Sequence, residues 1–157
     1  MNFKHVPIED HSSYSNLIFS IQYFAPVDQL GLIEENKKSL RLYDALNLHY
    51  VNEITFQKCT INCVCFIPQY FAFAILGSDK HLYFYSSDDL KLVRKVQLPE
   101  NQNEIVYYSS KKMLLSFGIT GLIYGWDMEQ VFSEEFGNLM KDNKQTYGHI
   151  LSPNTPL

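Results

Sequence analysis

The sequence predicts an all-β protein built from repeated four-stranded antiparallel meanders, and three observations carry that prediction. Three segments superpose at a spacing of 42 and then 41 residues, anchored by Phe24, Phe66 and Tyr107, by Glu35, Gly77 and Gly118, and by Tyr43, Tyr85 and Trp126. A period near ~40 to 45 residues marks arrays in which one four-stranded unit cannot bury its own faces and stacks on its neighbour. Short apolar runs alternate with turns rich in Gly, Pro, Asp and Ser. Tyr and Phe contribute eleven residues each, and flat rings favour strands covered on both faces.

Taken in order, the first copy runs as strands Leu17 to Phe24, Gln29 to Glu34 and Ser39 to Tyr43, with Pro26 in the first turn where the second copy has Pro68. The second copy is the clearest. Ile61 to Phe66 is an inner strand, Pro68 and Gln69 a turn, Phe71 to Leu76 a second strand, and Gly77 to Lys80 a tight turn. His81 to Ser86 is a third strand, Ser87 to Asp89 a turn, and Leu90 to Leu98 a fourth strand stopped by Pro99. The third copy repeats this with Glu104 to Ser109, Met113 to Phe117 and Leu122 to Trp126.

Alternate residues on a strand share a face. Leu40 with Leu42, Leu82 with Phe84, and Ile123 with Gly125 therefore line one side of each unit, and Arg41, Tyr83 and Tyr124 the other. Both sides are largely apolar, as stacking of unit on unit requires.

The third copy closes on Gly121-Leu-Ile-Tyr-Gly-Trp126-Asp127. Together with the period, the chain resembles the WD-repeat family of β-propellers, whose blades typically close with a Trp-Asp pair on the third strand. The first copy carries Tyr43-Asp44 there and the second Tyr85-Ser86. The family favours an Asp in the turn before that strand, which Asp79 matches, whereas Lys37 and Thr120 stand in the other copies. Its Gly-His pair, expected ahead of each inner strand, is missing before the second and third copies, and Gly148-His149 offers the start of a further blade. The resemblance spans about Leu17 to Glu134. It implies blade-repeat structural roles for Phe24, Tyr43, Asp44, Phe66, Gly77, Asp79, Tyr85, Tyr107, Gly118, Trp126 and Asp127.

The expected organisation is an irregular segment 1–16, three blades over 17–58, 59–99 and 100–136, and a linker or the start of a further blade over 137–157. Three blades of the family's usual width do not close a ring, so the chain is expected to belong to a larger propeller or one completed by a partner.

After Trp126, where a fourth strand belongs, Met128, Val131, Phe132, Phe136, Leu139 and Met140 recur at helical spacing. Asp127 is placed to cap that segment and Gln130 follows three residues later, as in a capping box; Gly137 ends its stronger part. The helix either covers the exposed edge of the third blade or offers Met128, Val131, Phe132 and Phe136 as candidate partner-docking residues. A plain strand is the remaining alternative.

A net charge of -4 gives no electrostatic reason to expect nucleic acid, whose affinity rests on neutralising phosphates. The clusters Lys37, Lys38 and Arg41, then Lys91, Arg94 and Lys95, then Lys111 and Lys112 read as solvated turns and an outer strand. No run approaches the ~20 apolar residues of a membrane helix, and the N-terminus lacks a basic start and apolar core. The expectation is therefore cytoplasmic, with a cytoskeletal or ciliary assembly as an alternative setting.

Cys59, Cys63 and Cys65 crowd into one strand without zinc-knuckle spacing and read as small apolar residues. His5, His11, Ser12 and Ser13 are sequence neighbours with no evidence of triad geometry. Carboxylate pairs at Glu34-Glu35, Asp88-Asp89 and Glu134-Glu135 project in different directions, which is poor geometry for shared acid and base work. Gly118, Gly121 and Gly125 lack the Lys-Ser or Lys-Thr of a phosphate loop. No catalytic residue, metal, cofactor or small-molecule substrate is expected. The reading is a non-catalytic scaffold for protein partners. A structural component of a cytoskeletal or ciliary assembly is the alternative, and a propeller enzyme working through Glu104 a remote one.

Overall fold

The computed structural model describes residues 17–134 and 149–151. These form three four-stranded antiparallel sheets and one short helix, an all-β architecture. The chain divides between Thr55 and Phe56 into two compact units.

The first unit holds one sheet in the order β1 (Ile18–Phe24), β2 (Gln29–Glu34), β3 (Ser39–Asp44), β4 (Tyr50–Thr55). Strand β1 ends in a single 3-10 turn, Ala25–Val27, with Pro26 setting one backbone angle. Asp28 then takes a left-handed conformation, φ 50°, and its N–H donates to the Ala25 carbonyl at 3.2 Å. This reverses the chain into β2.

The second unit holds two sheets. The second sheet runs β5 (Ile61–Ile67), β6 (Ala72–Gly77), β7 (His81–Ser86), β8 (Leu92–Gln97). The third contains β9 (Glu104–Tyr108), β10 (Met113–Phe117), β11 (Ile123–Asp127) and β12 (His149–Leu151), with helix α1 (Met128–Val131) between β11 and β12 in sequence. Both sheets reuse the same reversal. Pro68–Tyr70 leads into left-handed Phe71, φ 44°, and Ser109–Lys111 into left-handed Lys112, φ 52°.

Cross-strand register gives the repeat its structural definition. Tyr23, Leu30 and Tyr43 stand opposite one another in the first sheet, Phe66, Phe73 and Tyr85 in the second, and Tyr107, Leu114 and Trp126 in the third. Directly opposed residues share a face, so each sheet carries one row of an aromatic, a large apolar residue and a second aromatic. Tyr23, not the sequence anchor Phe24, is therefore the counterpart of Phe66 and Tyr107; Phe24, opposite Gln29, matches Ile67, opposite Ala72. Pro26 likewise matches Gln69 rather than Pro68. The cause is one extra residue in the β2–β3 turn, which spans 35–38 in the first sheet against 78–80 in the second. Each of the two turns contains one left-handed lysine, Lys37 at φ 53° and Lys80 at φ 60°.

Two further differences concern the third sheet. Its fourth strand is His149–Leu151, paired to β11 through Ile123 and Gly125, a segment whose sequence reads as a linker or the start of a further blade. A strand can be supplied by any extended segment that reaches the free edge of β11, and sequence distance does not forbid it. The segment directly after β11 does begin as a helix. Its described part is short, and Phe136, Gly137, Leu139 and Met140 lie outside the described residues, as does the expected irregular segment 1–16.

The second and third sheets pack face to face. Cys65, Ala74, Leu76, Leu82, Phe84 and Val96 from one meet Ile105, Leu114, Tyr124 and Trp126 from the other in a single buried core. Fully burying a side chain of this size is worth about 1.5–3 kcal/mol, so this layer is the main source of cohesion in the second unit.

Candidate interaction surface

The last position of each third strand does the same local work. Asp44 Oδ1 accepts from the backbone N–H groups of Leu46 and Asn47 at 3.0 and 2.9 Å. Ser86 Oγ accepts from Asp88 N–H at 3.2 Å. Asp127 Oδ1 accepts from Glu129 and Gln130 N–H at 2.9 and 3.4 Å and caps α1. Short side chains with an acceptor one or two bonds from Cβ satisfy otherwise unpaired N–H groups at turns and helix starts.

Helix α1 turns its apolar side inward. Met128 and Val131 are buried within the core of the second unit, while Glu129 and Gln130 face out. Phe132, one residue past the helix, stacks flat on Tyr70 at 4.3 Å between ring centroids and meets Phe84 edge-on at 5.4 Å. Arg94 on β8 donates through Nε and Nη2 to the carbonyls of Val131 and Ser133, at 3.2 and 3.4 Å. Of the four candidate docking residues, Met128 and Val131 are thus buried and Phe132 packs against Tyr70 and Phe84. Phe136 lies outside the described residues.

Two polar clusters hold the turns. Asp79 accepts from the Tyr83 hydroxyl at 2.6 Å and lies 3.1 Å from His81 Nδ1. Burial pushes the Asp79 carboxyl up, but the Tyr83 hydrogen bond and the charges of His81 and Lys95 outweigh it and hold the group below its ordinary value. Burial, with the Asp79 hydrogen bond, drives the Tyr83 hydroxyl well above the usual phenol range. Gly77 is required beside them, because a Cβ there would stand 2.5 Å from Asp79 Oδ1. In the third sheet the Trp126 indole N–H donates to Ser116 Oγ at 2.9 Å, deep in the core. Fully buried Gln102 accepts from the Asn62 amide on its backbone carbonyl at 2.9 Å and donates through its side-chain Nε2 to Glu100 at 3.0 Å; Gly118 leaves room for that strand entry, since a Cβ would meet the Asn101 carbonyl oxygen at 2.4 Å.

The three cysteines are free. Cys65 lies in the core, where burial lifts its thiol far above the usual range. Cys63, on the same face, points its Sγ at Glu104 Oε2, 3.4 Å away, and burial raises it as well. A neutral thiol is a poor nucleophile and metal ligand. Among the described residues no group of three His, Cys, Asp or Glu side chains is placed to hold a metal ion, and no helix is long and apolar enough to cross a membrane.

What remains open is apolar sheet. On the third sheet, Val106 and Leu115 stand in one cross-strand row and Phe117 and Ile123 in the next, all four exposed or half-buried; the same rows contain Gly125, which is buried, and Glu104, whose carboxylate meets Cys63 of the second sheet. Their register counterparts on the second sheet are Cys65, Ala74 and Phe84, and Cys63, Leu76 and Leu82, which are covered by the third sheet. Val106 is 50% exposed and Ile123 37%. On the first sheet, Ile21 and Tyr23 of edge strand β1 are 59% and 55% exposed, on the face that carries the row Tyr23, Leu30, Tyr43. Ile123 and Gly125 are recognisable in sequence as sharing a side; Val106, Leu115 and Phe117 need the register to be placed beside them.

No family model matches this chain, and no curated protein matches it.

Proposed function

We propose that the chain is a non-catalytic protein-interaction platform, made of propeller-like blades and completed by further polypeptide. One observation carries this reading: Val106, Leu115, Phe117 and Ile123 of the third sheet are apolar and exposed or half-buried, whereas their counterparts on the second sheet, Cys65, Ala74, Leu76 and Leu82, are covered by a neighbouring sheet. Contiguous apolar surface of this kind marks a binding face. The recurring row of aromatic, large apolar and aromatic residues, the matching 3-10 reversals and the turn caps at Asp44, Ser86 and Asp127 support the blade reading. The Trp-Asp pair at Trp126-Asp127 supports its WD-repeat character. Binding is through sheet faces.

The test is retention of a bound polypeptide in high salt during purification from the native source, compared between the unmodified chain and Val106→Asp or Ile123→Asp. The unmodified chain keeps a stoichiometric companion, of its own or another sequence, that both substitutions release while the circular dichroism spectrum and melting temperature hold. A companion retained equally by all three forms would overturn the reading.

A further inference from the structure

On one face of the first sheet, edge strand β1 leaves Ile21 and Tyr23 exposed, and that face repeats part of the face with which the third sheet covers the second. In the third sheet that covering face presents Ile105, then the row Tyr107, Leu114, Trp126. The positions in register on the first sheet are Ile21, then the row Tyr23, Leu30, Tyr43. Isoleucine, tyrosine and leucine recur at the same three places, and buried Tyr43 replaces Trp126 at the fourth; Leu32 and Arg41 stand where the third sheet has Ser116 and Tyr124. Ile21 and Tyr23 are more than half exposed, although their counterparts Ile105 and Tyr107 belong to, or pack against, the core.

The receiving face is open as well. Cys65, Ala74, Leu76 and Leu82 receive the third sheet; their counterparts Val106, Leu115, Phe117 and Ile123 on the third sheet are apolar and exposed or half-buried. Phe84 is replaced by Gly125, which is buried. The chain therefore carries both halves of a contact it already makes internally.

Building on the platform reading, we propose that the partner on this face is a second copy of the chain, docked head to tail. The Ile21–Tyr23–Leu30 face of one copy covers the Val106–Leu115–Phe117–Ile123 face of another. Such a contact is heterologous, joining two different surfaces, so it closes into a ring or propagates according to its rotation. Identical copies also supply the sheet-on-sheet geometry without a new interface type, because the second and third sheets already display it.

Sedimentation equilibrium on purified protein tests this, using Ile21→Asp and Val106→Asp separately and then mixed. Both substitutions fall on exposed sites, and circular dichroism checks that each variant is folded; Tyr23→Ser and Ile123→Asp repeat the test if either is not. The unmodified chain is expected at two or more chains per particle, and each variant alone at one. An equimolar mixture of the variants returns to two chains and stops there, since one intact contact remains between unlike copies and a carboxylate blocks both outer faces. A monomeric unmodified chain, a variant that keeps the parent mass, or a mixture that stays monomeric each overturns the proposal. If the unmodified chain is monomeric while Val106→Asp still releases a companion of different sequence, the platform reading survives and the second-copy inference alone fails.

Discussion

The indole N–H of Trp126 donates to the hydroxyl of Ser116 at 2.9 Å with both residues buried between the second and third sheets. Trp126 lies on β11 and Ser116 on β10, so the bond locks the register of two adjacent strands from inside the core. Burying a hydroxyl without a partner costs roughly 1–3 kcal/mol. Trp126→Phe is therefore expected to lower stability by at least that much, with lost packing added. The double variant Trp126→Phe/Ser116→Ala should recover part of the loss, because no orphaned hydroxyl remains. Urea denaturation followed by circular dichroism measures both, and a double variant less stable than the sum of the singles would contradict this assignment.

Gly118→Ala is expected to destabilise the third sheet, because the added Cβ would lie 2.4 Å from the Asn101 carbonyl oxygen, a backbone atom that cannot swing aside. Overpacking of this kind costs about 1–3 kcal/mol. Gly121→Ala has open space around its Cβ but a φ of 79°, so its cost comes from backbone strain alone and should be the smaller of the two. Thermal melts of the pair give the order, and equal melting temperatures would count against the close approach at Gly118.

The Asp79–Tyr83 hydrogen bond predicts a specific acid sensitivity. The Asp79 carboxyl is depressed in the folded state, so its contribution is present above the unfolded value, about 3.9. It is lost as pH falls through the folded one. Tyr83→Phe removes the donor and lets burial push the carboxyl back up. The difference in unfolding free energy between pH 5 and pH 3 should then shrink relative to the parent, while an unchanged difference would show that Asp79 gains nothing from Tyr83.

Asp127→Ala should cost about 1 kcal/mol through loss of the two N–H acceptors at the start of α1, and Asp127→Asn far less, because an amide oxygen caps nearly as well. The loss should be accompanied by greater protease access near Phe132, which depends on α1 to reach Tyr70. Equal stability of the two variants would show that charge, and not capping, is what Asp127 contributes.

Much of the fold was legible because strand periodicity and turn chemistry are local. The runs Ile61 to Phe66, His81 to Ser86 and Met113 to Phe117 stand within a residue of the observed strands, and the shared face of Leu82 and Phe84 follows from alternation alone. The misplacement of Phe24 shows the limit: identity of residue type at a constant spacing suggested an anchor, yet a single extra residue in the turn at 35–38 moved every position before it by one. A one-residue slip exchanges faces, which only the hydrogen-bonded register resolves. The strand at His149–Leu151 was illegible for a different reason, since its partner β11 lies more than twenty residues earlier and nothing local signals that pairing. Helix α1 was legible through Asp127 and the spacing of Met128 and Val131. The sequence left its packing and docking roles as alternatives, because the Arg94 and Tyr70 contacts that meet this segment come from distant parts of the chain. The candidate surface needed both kinds of information: apolar alternation in Val106, Leu115 and Ile123, and the register that gathers them on one side.

The central claim is that open sheet faces on this chain are covered by another polypeptide of the same sequence. Its most direct measurement is the mass of the unmodified protein by sedimentation equilibrium across a wide concentration range. The account predicts a rise from 18.3 kDa at high dilution to at least twice that value as concentration increases. A folded species that remains at the mass of one chain throughout would contradict it.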